Sequence, residues 1–274
     1  MHPKVDPSLL PLPVPLWSPE DPNPPGGRGE DMPYLLPFLP AERHGPRRPA
    51  VVVTPGGGYQ GVCMTHEGVE VGGWLQAHGF AAFIVRYRVA PHRHPVPLLD
   101  ARRAIRLVRA RAAQWRLDPE RIGLMGFSAG GHLAMTAATE PDDGRPEAAD
   151  PVERVSTRLR FLILGYPVIS LIHAAAHLGS RNNLLGPDPD PALARELSGE
   201  FRAGARTPPT FLLHAHDDAG VPPTNSVLFY EALRAAGVPA ELHIYETGGH
   251  GFGLGEDHSV RAELLRWLRA RVAA

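Results

Sequence analysis

From Ala50 onward, short and almost wholly apolar runs alternate with stretches in which apolar residues recur every three or four positions. Residues 51–53, 80–85, 122–125, 161–164, 211–214 and 242–245 have the length and composition of strands buried on both faces. Between them, 69–78, 98–115, 131–139, 225–236 and 260–272 carry the helical period. Strand followed by helix, repeated with right-handed crossovers, predicts an α/β domain with a mostly parallel central sheet and helices on both faces.

Two stretches break the alternation, 141–158 and 167–209, and both follow strands at the edge where parallel sheets carry ligands. The second contains Gly186-Pro187-Asp188-Pro189-Asp190-Pro191 and then a short helix predicted from about Ala192 to Leu197. Long excursions of this kind tend to be functional, so they are expected to roof a pocket. Residues 1–48 are rich in Pro and Gly, most densely at 22–29, and read as an arm packed on a single domain at 49–274. Trp17, Leu35, Leu36 and Phe38 are its expected docking side chains.

Composition narrows the function classes. A net charge of −1 lacks the basic surface that nucleic-acid binding needs. Lys4 is the sole lysine, and Arg102, Arg103, Arg106, Arg109 and Arg111 fall opposite Leu98, Ala101, Ile105, Val108, Ala112 and Trp115 on a helical period, as a solvated face would. No apolar stretch has the length of a membrane span, and prolines interrupt the N-terminal apolar residues, so no signal peptide is read and a cytoplasmic protein is expected, with secretion open if a leader has been removed. Cys63 is the single cysteine and excludes an intrachain disulfide. The pairs His92/His94 and His214/His216 lack the further ligands of a zinc site, so neither metal nor cofactor is expected.

The chemistry concentrates at Gly126-Phe127-Ser128-Ala129-Gly130, placed between an apolar run and a helical stretch. In such a strand-to-helix turn a serine is held in strained backbone geometry with its hydroxyl above the sheet. A serine needs a base, and the base needs a carboxylate. Asp217-Asp218-Ala219-Gly220-Val221-Pro222 follows one predicted strand and Gly248-Gly249-His250-Gly251 follows the next, in the Ser, Asp, His order of G-x-S-x-G hydrolases. Asp218 fits the D-x-x-V-P pattern and is assigned the role; Asp217 is expected to shape the loop. The glycines of Thr54-Pro55-Gly56-Gly57-Gly58-Tyr59 can present backbone N–H groups to an oxyanion, which makes Gly57, Gly58 and Ala129 the expected donors. Tyr59 beside them is a candidate for lining the pocket, and His177 and Arg181, on the long excursion, for touching a sugar or acyl group.

Residues 55–59, His66-Glu67-Gly68, 85–91, 118–123, the Ser128 turn, 179–186 and the two loops with Asp218 and His250 together resemble α/β-hydrolases of the acetyl-xylan esterase and related acetyl esterase type, over nearly the whole chain. One departure is Pro55, where many serine esterases carry His before the glycines. The resemblance implies the α/β-hydrolase fold and hydrolysis of acetyl or other short acyl esters, often of sugars, through Ser128, Asp218 and His250. Alternatives are a general carboxylesterase or amidase, acyl transfer to an alcohol, and an inactive hydrolase fold used for binding. The expected partner is a small-molecule or oligosaccharide ester; the oligomeric state is not legible.

Overall fold

The computed structural model describes residues 10–17, 32–41, 46–255 and 259–273. Among the described residues, eight strands form one sheet: β1 (Val14–Pro15), β2 (Tyr34–Phe38), β3 (Arg48–Thr54), β4 (Ala81–Arg86), β5 (Leu117–Phe127), β6 (Leu162–Gly165), β7 (Thr210–Ala215) and β8 (Ala240–Tyr245). Their spatial order is β1-β2-β4-β3-β5-β6-β7-β8, parallel from β4 to β8 and antiparallel at β1 and β2. The mostly parallel sheet read from the sequence is therefore present. The described residues form seven α-helices: α1 (Glu70–Ala77), α2 (Val96–Ala110), α3 (Ser128–Thr139), α4 (Leu178–Leu185), α5 (Pro191–Glu196), α6 (Thr224–Ala235) and α7 (Val260–Val272).

The apolar runs become strands because helices cover both faces. Val52, Phe83, Leu124, Leu162 and Leu212 belong to one core layer; Val51, Val53, Met125, Ile163, Phe211 and Trp267 belong to the other. Successive residues of a strand point to opposite faces, so neighbours in sequence separate into two cores. Strand β8 departs from the expectation of double burial. It is the edge of the sheet, and Ile244 is exposed.

Strand β2 joins β4 with Leu35 opposite Val85, and Leu16 and Leu35 are buried. Trp17 Nε1–H donates to Asp100 at 2.9 Å. The stretch at 22–29 lies outside the described residues.

The arginines of α2 correct the helical-period reading. Arg103 and Arg106 are buried, because the 141–158 excursion lies over that face and supplies Asp142, Asp150 and Glu153 as ion-pair partners. Periodicity separates charged from apolar positions, but it does not say that a charged face meets water. Helix α4 was not read from the sequence either. His177 caps it by accepting from the Ser180 N–H at 3.2 Å, a role usually filled by Ser, Thr, Asp or Asn. No helix among the described residues is long and apolar enough to cross a membrane.

Candidate active site

The loops after β3, β5, β6, β7 and β8 meet at the carboxyl edge of the sheet. Ser128 opens α3 directly after β5, with φ +52°, the left-handed region that L-residues adopt only at a cost. Packing enforces the turn. A Cβ on Gly126 would lie 2.3 Å from the Gly130 carbonyl oxygen, and one on Gly130 would lie 2.2 Å from that of Thr54. Only hydrogen fits at either place, so strand and helix pass at backbone contact and the serine is pushed up at the bend. Ser128 is 6% exposed.

Its hydroxyl faces His250 Nε2 at 2.9 Å, and His250 Nδ1 faces Asp218 Oδ2 at 2.7 Å. The carboxylate can only accept, so Nδ1 carries the proton and Nε2 turns its lone pair to the Ser128 O–H. Asp218 Oδ1 accepts the Gly220 and Val221 N–H groups at 2.9 and 2.8 Å. His214, wholly buried, donates from Nε2 to the Val221 carbonyl at 2.8 Å, with Asp218 Oδ2 3.3 Å away, and accepts from Ser226 Oγ–H at 2.7 Å. Burial alone would raise the Asp218 carboxyl; its bonds from His214, His250 and Val221 outweigh that and hold it well below the usual carboxylate range. Asp217 accepts the Gly249 N–H at 2.7 Å, tying the aspartate loop to the histidine loop.

On the other side of Ser128, Gly57 and Gly58 have φ of +131° and +66°, and a Cβ on Gly57 would strike the Gly61 carbonyl at 2.3 Å. The Gly56 N–H is taken by Glu67 Oε2 at 2.7 Å. The Ala129 N–H is in the first turn of α3, where the helix's own ladder leaves donors free and the dipole favours negative charge.

The expected pocket residues fare differently. Tyr59 is 1% exposed, and its O–H donates to His132 Nδ1 at 2.8 Å while its ring meets Tyr87 and His132 edge-on. Tyr59 thus packs in the core beside the glycine loop, with φ +56°. His177 remains half-buried at the start of α4. Burial pushes its imidazole below the ordinary range and the field of His250 lowers it further, against a smaller opposing pull from Asp218. Arg181 Nε donates to Asn182 Oδ1 at 3.2 Å, with no hydrogen bond to Ser128, Asp218 or His250. Asn183, within the 179–186 motif but given no role from the sequence, donates to the Gly58 carbonyl at 2.8 Å and ties α4 to the glycine loop.

Glu67 and Tyr166 were also missed as site residues. Both are buried, and Tyr166 packs on the His250 ring at 5.2 Å. The only available signal for Glu67 was its place in the His66-Glu67-Gly68 motif. Cys63, His66 and Glu67 bring possible ligand atoms within 4.8 Å of one another, but both oxygens of Glu67 already accept hydrogen bonds.

The BD-FAE family model matches residues 37–233. An acetylxylan esterase of Xylanibacter ruminicola is 37% identical over 85% of this chain and 47% of its own. The crystal structure of an acetyl ester-xyloside bifunctional hydrolase from Caldicellulosiruptor lactoaceticus superposes with a TM-score of 0.90 at 44% identity, covering 96% of this chain and 97% of that one. An alpha/beta hydrolase from a Medee basin deep-sea metagenome library superposes at 0.68 with 25% identity, over 95% and 96%. The chain spans about half the length, or less, of the first curated relatives it matches.

Proposed function

The chain belongs to the BD-FAE family and has the α/β-hydrolase fold, and from that premise we propose that it is a serine esterase that removes short acyl groups, acetyl foremost, from carbohydrate esters such as acetylated xylan and xylo-oligosaccharides. Ser128 attacks the ester carbonyl while His250 Nε2 takes its proton. Asp218 holds the imidazole in the required tautomer and stabilises the imidazolium that forms. The N–H groups of Gly57, Gly58 and Ala129 receive the oxyanion of the tetrahedral intermediate, where fixed dipoles act more strongly than in water. His250 then returns the proton to the departing alcohol. Water, activated by the same histidine, attacks the acyl-Ser128 ester and releases the acid.

The observation that carries this reading is the unbroken run from Ser128 Oγ through His250 to Asp218, at 2.9 and 2.7 Å. It is a nucleophile, a base and an orienting group in order, on a backbone shared with hydrolases of acetyl esters and xylosides. His177, which caps α4, and Arg181 within it are proposed to touch the sugar or acyl group of the substrate. The domain is proposed to run over 49–274 with the arm of 1–48 packed on it. The proposed location is the cytoplasm, which suits a fold held without disulfides.

The test is a competition among acetylated xylo-oligosaccharides, short alkyl acetates, aryl acetates and the matching acetamides, reported as ratios of kcat/KM. The proposal expects the acetylated oligosaccharides to lead. Alkyl or aryl esters leading would make the protein a general carboxylesterase, and acetamides leading would make it an amidase.

A further inference from the structure

Below the candidate site lies a carboxylate that no step of the reaction uses. Glu67 is 2% exposed and sits on a π-helical turn, Thr65–Val69, a backbone form that recurs at functional sites. Its two oxygens have separate partners. Oε2 accepts the Gly56 N–H at 2.7 Å, in the glycine loop. Oε1 accepts the Tyr166 O–H at 2.7 Å, and the Tyr166 oxygen in turn accepts the Gly253 N–H at 2.9 Å, in the loop that carries His250. His66 Nε2 lies 3.8 Å from Oε1.

We propose that Glu67 is a positioning residue for the esterase reaction: it holds the oxyanion loop and, through Tyr166, the His250 loop in a single register around Ser128. The proposal rests on the serine-esterase reading above. Tyr166 is placed for this by the sheet order. It follows β6, the strand between β5, which runs into Ser128, and β7, which leads to Asp218, and its φ of +35° stands the ring against His250 at 72°. A Cβ on Gly56 would lie 2.8 Å from Glu67 Oε2 and 2.8 Å from Ser128 Cβ, so the carboxylate and the nucleophile both crowd the space beside this glycine.

A carboxylate suits the task because it only accepts. Gly56 N–H and Tyr166 O–H must both point inward at it, and hydrogen bonds to a charged acceptor away from water are short and strong. With the Gly56 N–H engaged, the next two N–H groups, of Gly57 and Gly58, are left for the oxyanion. Burial and the Glu67 charge push the Tyr166 hydroxyl well above its ordinary value, so it stays a donor. Glutamine keeps one accepting oxygen, for which the Gly56 N–H and the Tyr166 O–H must compete, so both arms are weakened.

Glu67→Gln and Tyr166→Phe separate the arms, read as kcat and KM on p-nitrophenyl acetate and an alkyl acetate, with Ser128→Ala as control. The first variant strains both arms and should lower kcat by roughly ten- to a hundred-fold on both esters with KM within about three-fold. The second removes a single hydroxyl and breaks only the histidine arm. An alkoxide needs the proton from His250 to leave and p-nitrophenolate does not, so Tyr166→Phe should lower kcat/KM on the alkyl acetate about ten-fold more than on the aryl ester. Wild-type kcat in Glu67→Gln, a loss confined to KM, or an equal loss on both esters in Tyr166→Phe would overturn the positioning role while the esterase reading stands. Activity undiminished in Ser128→Ala would overturn both.

Discussion

Acidification from about pH 7 to pH 4 should cost the fold about 3 kcal/mol through His132 alone. His132 lies one turn along α3 from Ser128 and is 1% exposed. Nε2–H donates to the Leu197 carbonyl at 2.9 Å and Nδ1 accepts from Tyr59 O–H at 2.8 Å, so both nitrogens are committed to the neutral ring. Burial drives its pKa down to about 4; the Leu197 carbonyl pulls the other way, and Arg202 and His94 lower it further. A free imidazole titrates near 6.5. Between these values the unfolded chain binds a proton that the native chain refuses, so stability falls as pH drops and levels off below about 4. The gap, at about 1.4 kcal/mol per pH unit, yields the figure. Asp218 has the same sign but a separate window: held low in the fold, it withdraws stability only as pH falls below the ordinary carboxylate range. Urea unfolding of the wild type and of His132→Gln across this range isolates the histidine, because every other titrating group is common to both. The wild-type stability should fall relative to the variant by about 3 kcal/mol between pH 7 and pH 4. Parallel profiles would refute the reasoning.

Asp100 offers a second stability test. Wholly buried, it accepts from Arg88 Nε at 2.8 Å, from the Arg88 backbone N–H at 3.0 Å and from Trp17 Nε1 at 2.9 Å. Asp100→Ala leaves a buried guanidinium with a major partner gone and should cost about 3–5 kcal/mol in chemical denaturation; a change below about 1 kcal/mol would count against that account. Turnover distinguishes the adjacent aspartates. Asp218→Ala should lower kcat by on the order of 10⁴-fold, because the histidine loses its tautomer, whereas Asp217→Ala removes one loop hydrogen bond and should cost less than about ten-fold. Equal losses would mean that the assignment of Asp218 is wrong.

The parts legible in the sequence are those whose signal is local. Strand interiors such as 51–53 and 161–164 are apolar on every residue because the sheet is covered on both faces, and Gly126 and Gly130 flank Ser128 because nothing larger fits. The Ser, Asp, His order follows from the strand ends that carry them. What was illegible depends on segments far apart in the chain. Arg103 and Arg106 have the spacing of a wet face, and the 141–158 excursion folding over them makes them buried ion-pair partners. Tyr59 follows three glycines as a pocket residue would, yet its partner is His132, 73 positions away. Glu67 and Tyr166 are 99 positions apart, and their meeting depends on β6 lying between β5 and β7.

The measurement closest to the central claim is to trap the acyl-enzyme. The wild type is mixed with p-nitrophenyl acetate, quenched in acid within the first turnover, digested and analysed by mass spectrometry. The account predicts an acetyl group on the Ser128 hydroxyl, absent from Ser128→Ala, which should also release acetate at least about 10⁴-fold more slowly. Acetate release at the wild-type rate by Ser128→Ala, or acetyl carried on another residue through turnover, would contradict it.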